Sequence, residues 1–139
     1  MKTAELIQKR KSLLKEYSHE YKDYRGEDTT PLNDVMIFFN LPEEKQEALV
    51  NYCLAAFIPM KKINQSCTSY GLKHVFEGYP GGFHVSNGHF KAAMLIAGFL
   101  PENARMTNWN FAILRKSRGI NPGTEIEYKD KYYLPLEAK

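Results

Sequence analysis

Residues Ser66–Phe99, SCTSYGLKHVFEGYPGGFHVSNGHFKAAMLIAGF, carry most of the information about the fold. Thr68 or Ser69 supplies an N-cap and Gly78 a stop, which predicts a helix over Ser69–Glu77. Leu72, Val75 and Phe76 would face inward from it. Tyr79-Pro80-Gly81-Gly82 gathers residues suited to unusual backbone angles, so a tight turn follows. Phe83-His84-Val85 reads as a brief extended piece. Ser86 or Asn87 then caps a second helix to about Ala97, with Gly98 ending it. Phe90, Ala93, Met94 and Ala97 recur at three- and four-residue intervals along its buried side.

Working outward, Asn108–Leu114 alternates polar and apolar residues and sets Trp109, Phe111 and Ile113 on one face, which predicts a strand. Asn121-Pro122-Gly123 reads as a turn, and Ile126 with Tyr128 supplies a partner strand before a tail. On the other side, Leu41-Pro42-Glu43-Glu44 opens a helix with proline early and acids in its first turn, where they suit the positive helix end. Ala48, Leu49, Tyr52, Cys53, Ala56 and Phe57 form its stripe, and Pro59 stops it. Thr30-Pro31 starts a short helix through about Phe39, with a short strand as the competing reading. Residues 3–24 carry Leu6, Ile7, Leu13, Leu14, Tyr17, Tyr21 and Tyr24 on one helical stripe, which fits packing on the domain or a homodimer contact. The expected class is mainly α with a small β element (α+β), a helix-turn-helix or winged-helix-like module preceded by N-terminal helices. Its parts are an N-terminal helix (1–26), a helical core with the module and strand (27–118), and a C-terminal strand or tail (119–139).

The composition is that of an ordinary folded domain, with 43% apolar and 25% charged residues in 139. Apolar runs are far too short for a membrane span, and the N-terminal MKTAELIQKRKSLLKEY lacks the apolar core of a secretory signal. A cytoplasmic location with reduced Cys53 and Cys67 is therefore expected. The net charge of +3 is unevenly spread. Residues 26–60 carry −5, whereas 61–118 carry +6 from Lys61, Lys62, Lys73, Lys91, Arg105, Arg115, Lys116 and Arg118 against Glu77 and Glu102. Segregation of this kind suggests one positive face.

Helix, turn, helix and a strand with a basic end is the order of a DNA-binding module. A helix N-terminus offers free amides and a positive dipole to phosphate, and Ser86, Asn87, Gly88 and His89 stand at such an end. Gly88 would permit close approach. The expected nucleic-acid-binding residues are Lys73, Asn87, His89, Lys91, Arg115, Lys116 and Arg118. Replacing Lys91 and Arg115 together by Glu should then abolish DNA retention in a folded protein.

Catalytic arrangements fare worse. His84 and His89 are poorly spaced for one helix face, and neither cysteine has a zinc-finger partner. Cys67 and His74 lie in no nucleophile motif, and an inert thiol is the commoner state. The turn lacks the GK[ST] ending of a phosphate loop. No catalytic residue, metal or cofactor is expected, and the chain reads as non-enzymatic.

Ser69–Phe99, with SYGLKHVFE and then GFHVSNGHFKAAMLIAGF, is similar to a module in small proteins of phages and mobile elements, and resembles winged-helix ends of phage and plasmid replication proteins. The resemblance implies an accessory protein of a mobile element and transfers no binding residue. The expected function is a nucleic-acid-binding accessory or regulatory protein, with DNA favoured over RNA. The alternative is a protein-interaction module, such as a phage-encoded inhibitor of a host defence nuclease, docking on a host protein.

Overall fold

The computed structural model describes residues 2–18 and 31–121. Five α-helices run over Thr3–Lys9 (α1), Lys11–Tyr17 (α2), Glu43–Ala56 (α3), Ser69–Glu77 (α4) and Asn87–Ala97 (α5), with 3-10 turns at Pro31–Asn33 and Val35–Asn40. The expected 3–24 stripe divides at Arg10, whose buried guanidinium donates to the Ile96 carbonyl near the end of α5, and its last part with Tyr21 and Tyr24 lies outside the described residues. Leu6, Ile7 and Leu14 are buried within this chain, with α1 against α3 and α2 against α5. The segment after Pro31 winds as 3-10 turns rather than one helix, because Asp34 leaves the helical region with an extended backbone, and its buried carboxylate accepts from the Met36 amide and caps a second piece.

α5 decides the architecture. Every residue in it except His89 is buried, and it packs against α2, α3, α4 and both 3-10 turns. A helix that is apolar all round belongs inside, and the run Ala92–Ala97 has no polar face to show to water. Its ends are those the sequence marks. Ser86 and His89 form a capping box, and Gly98 closes the helix in the left-handed region at φ 109°. Gly88 does bring backbones together, but the partner is this chain: a Cβ there would overlap the Asp34 carbonyl oxygen.

The expected α+β class and winged-helix-like module are corrected on two counts. First, the second helix of a helix-turn-helix must expose a face to DNA, and α5 is the hub around which the other helices assemble. Second, no strand forms among the described residues. Asn108–Leu114 is extended but meets its neighbours only at isolated antiparallel bridges, Pro59 with Ile113 and Pro101 with Phe111. Both partners are prolines, which lack the N–H needed to extend a ladder. The segment's own bonds then scatter: the Trp109 amide goes to Ser69 Oγ, the Ile113 amide to the Phe111 carbonyl, and the Leu114 amide to the Ile58 carbonyl. Trp109, Phe111 and Ile113 still face the core, so the alternation was about burial and not about a sheet. The partner strand at Ile126 and Tyr128 and most of the 119–139 segment lie outside the described residues.

Candidate functional site

The seven residues read as nucleic-acid contacts fall into two groups in space. Lys73, Asn87 and Lys91 are buried, and His89 is half-buried in the capping box. Arg115 and Lys116 are exposed, while Arg118 is half-buried and already partnered.

The first group forms an internal polar seam where α5 begins. Asn87 accepts from Ser69 Oγ (2.7 Å) and shares its amide hydrogens among Asn33 Oδ1, the Thr107 carbonyl and Asn108 Oδ1. Lys91 donates to the carbonyls of Asn33 (2.7 Å) and Thr107 (3.0 Å), with its ammonium 4.5 Å from the Trp109 ring centroid. Burial pushes the Lys91 pKa down to about 8, and Asp34 opposes that shift. Phosphate has no access to an ammonium that is 5% exposed and already turned to two carbonyls. Lys73 pairs with Glu77 at 3.4 Å, one turn along α4, and lies against the Tyr70 ring.

Glu77 is a small hub of its own. Its carboxylate accepts from the Val85 amide and from His84 Nδ1 (2.9 Å), and its other oxygen faces His74 Nδ1 (3.0 Å). Burial would raise its pKa, but the Val85 amide and the Lys73 ammonium outweigh that and hold it below the ordinary carboxylate range. The result ties the ends of the Gly78–His84 turn together. Among the described residues, no three His, Cys, Asp or Glu side chains come together in a way that could hold a metal. Burial also raises the pKa of both Cys53 and Cys67, leaving neither as an activated thiolate.

The second group stands on a different part of the surface. Residues 58–64 and 111–117 run side by side, joined by the Met60 amide to the Ala112 carbonyl, the Leu114 amide to the Ile58 carbonyl and the Asn64 amide to the Phe111 carbonyl. Lys61 and Lys62 on one segment and Arg115 and Lys116 on the other are all exposed. The turn that carries Arg115 and Lys116 is firmly seated. Ser117, fully buried, accepts from the Ile58 amide through Oγ (2.9 Å), and the Gly119 amide donates to the Ala56 carbonyl. Gly119 lies so close to the Phe57 ring that a Cβ would overlap it. Lys61 and Lys62 were visible in the sequence as part of the basic block. What was missing was the bridge at Pro59 and Ile113 that brings them beside Arg115.

A separate groove of about 460 Å3 opens between α1 and the start of α3, with Ile7, Phe39 and Leu41 in it and Glu43 and Glu47 at its edge. Among the described residues, no helix is long and apolar enough to cross a membrane. No family model, curated protein or solved structure matches this chain.

Proposed function

We propose that this protein is a small non-enzymatic nucleic-acid-binding protein that grips phosphate through Lys61, Lys62, Arg115 and Lys116. The observation that supports this reading is the side-by-side pairing of 58–64 with 111–117, which brings exposed Lys62 and Arg115 to the lining of one depression with exposed Lys61 and Lys116 next to them in the chain. Lysine and arginine placed this way neutralise backbone phosphates and release condensed counterions, and the affinity is then set by charge rather than base sequence.

The test is fluorescence anisotropy with a labelled oligonucleotide of about 15 nucleotides, a length matched to small single-strand sites, at several salt concentrations. Four phosphate contacts give a log–log slope near −3.6 on duplex DNA and about −2.8 on a single strand. Lys62→Glu with Arg115→Glu removes binding at physiological salt and leaves the melting temperature within a few degrees, since both side chains are exposed. Unchanged affinity in that folded variant refutes the reading.

One observation favours a second reading, a protein-interaction module. The lining of the groove between α1 and α3 mixes Ile7, Phe39 and Leu41 with Glu43 and Glu47, which suits a basic, partly apolar protein segment. Nucleic-acid binding that is absent even at low salt would move the weight to that reading.

A further inference from the structure

Between the two basic segments lies a depression of about 430 Å3, lined among others by Met60, Lys62, Ile63, Asn64, Ile113 and Arg115. We propose that this depression is a slot for one unpaired nucleotide, so that the basic face selects single-stranded over double-stranded nucleic acid. The inference rests on the phosphate-binding reading above and adds the form of the ligand to it.

Three features support it. The volume lies within the range of about 300–1,000 Å3 usual for small-ligand sites. The floor is apolar: Ile113 is fully buried beneath it, Ile63 is half-buried, and Met60 stands 41% exposed at its edge. A thioether is soft and polarisable, and it packs well on a flat π face. The rim is cationic: among the described residues, the lining holds Lys62 and Arg115 and no acid. An apolar floor under a cationic rim is complementary to a nucleotide, with the base below and the phosphate above.

Asn64 can add a contact to the base edge. Its Oδ1 is taken up by the Ser66 amide and hydroxyl, while among the described residues its Nδ2 makes only a long 3.5 Å contact with the Ile113 carbonyl. Among the described residues one amide hydrogen is therefore left to donate. A base inside a duplex is stacked on both faces and cannot turn into such a slot without paying for unstacking, whereas an unpaired base enters directly. With no aromatic ring in the lining among the described residues, the gain from one base belongs at the low end of stacking contributions, about a tenfold preference for the single strand.

The experiment titrates full-length protein with labelled oligothymidine and with a duplex of the same length, at 150 mM salt by way of the usual physiological ionic strength, for the wild type and for Met60→Ser. Met60→Ser leaves charge unchanged and removes an exposed side chain, so the phosphate grip persists. The expected result is about tenfold tighter binding of the single strand by the wild type. Met60→Ser then brings that affinity down toward the duplex value with an unaltered salt slope. Equal affinity for both ligands, or a preference that survives Met60→Ser, overturns the slot and leaves the phosphate grip standing. Absence of binding to either ligand overturns both.

Discussion

The Lys91 ammonium lies 4.5 Å from the centre of the Trp109 ring and donates to the Asn33 and Thr107 carbonyls, so one lysine joins α5 to the Pro31–Asn33 3-10 turn before it and to the segment at Thr107 after it. This lysine fastens the core. Lys91→Ala removes the donor to both carbonyls and the cation–π contact, and should cost about 2–4 kcal/mol in urea unfolding. Lys91→Glu sets a carboxylate against the same carbonyl oxygens and should fail to fold. The double charge reversal at Lys91 and Arg115 would therefore report on stability, and Lys62 with Arg115 is the informative pair.

Lys91 should also leave a mark at alkaline pH. Its pKa falls from 10.5 in the free side chain to about 8 in the folded protein. Between those values the unfolded chain holds a proton that the folded one has released, so the contribution to stability rises with pH. The buried Cys53 thiol, whose pKa is raised, works the other way. Subtracting the stability of Lys91→Met from that of the wild type cancels Cys53. That difference should grow between about pH 8 and pH 10.5 by one to three kcal/mol. A flat difference would mean that the carbonyls and the indole hold the proton as firmly as water does.

His89 makes the capping box sensitive to acid. Its Nδ1 accepts from the Ser86 amide at 3.0 Å, which requires the neutral ring. Burial pushes its pKa down; contact with the Ile37 backbone opposes this, and His84 adds to it. The stabilising neutral form is complete above the unfolded value near 6.5 and is lost as pH falls through the lower folded value. Thermal unfolding at pH 7.5 and 5.5 should show a drop of several degrees in the wild type. His89→Gln retains an acceptor at the same capping position without titrating, and its drop should be smaller.

Ser117 offers a test of the platform that leaves charge untouched. Its hydroxyl oxygen takes the Ile58 amide, a buried donor. Ser117→Ala leaves that amide without its acceptor, at about 1–3 kcal/mol. The turn bearing Arg115 and Lys116 loosens with it. Nucleic-acid affinity should fall at least threefold at constant net charge. An unchanged affinity in a destabilised variant would show that the four cations need no fixed spacing.

Helix limits were legible because they are written in local chemistry. Thr68, Ser86, Gly78 and Gly98 punctuate α4 and α5, and both helices begin and end where those residues stand. What the sequence hid was the sense of a lysine inside an apolar helix. Lys91 has the spacing of a surface residue, and only the fold brings Asn33 and Thr107 to its ammonium. The contiguous run Ala92–Ala97 did carry a signal for burial on all sides, stronger than the single stripe read from Phe90, Ala93, Met94 and Ala97. The Asn108–Leu114 alternation was a true record of burial, but the prolines that prevent a sheet lie far away at 59 and 101. The same distance separates Lys62 from Arg115, so the basic face could be seen as a charge excess and not as a place.

Because α5 has no outward side, its backbone amides have no way to meet solvent by fraying of a surface layer. Deuterium should enter at Met94, Leu95 and Ile96 only when the whole molecule opens, and their exchange rates then give the global unfolding free energy directly. Lys61, Lys62, Gln65, Ser66, Arg115 and Lys116 are exposed, with the buried Ser117 as their seat, so amides at those exposed positions should exchange well before those of α5. The protein thereby keeps its slowest-exchanging segment apart from the exposed cations, which stand on their own seat at Ser117.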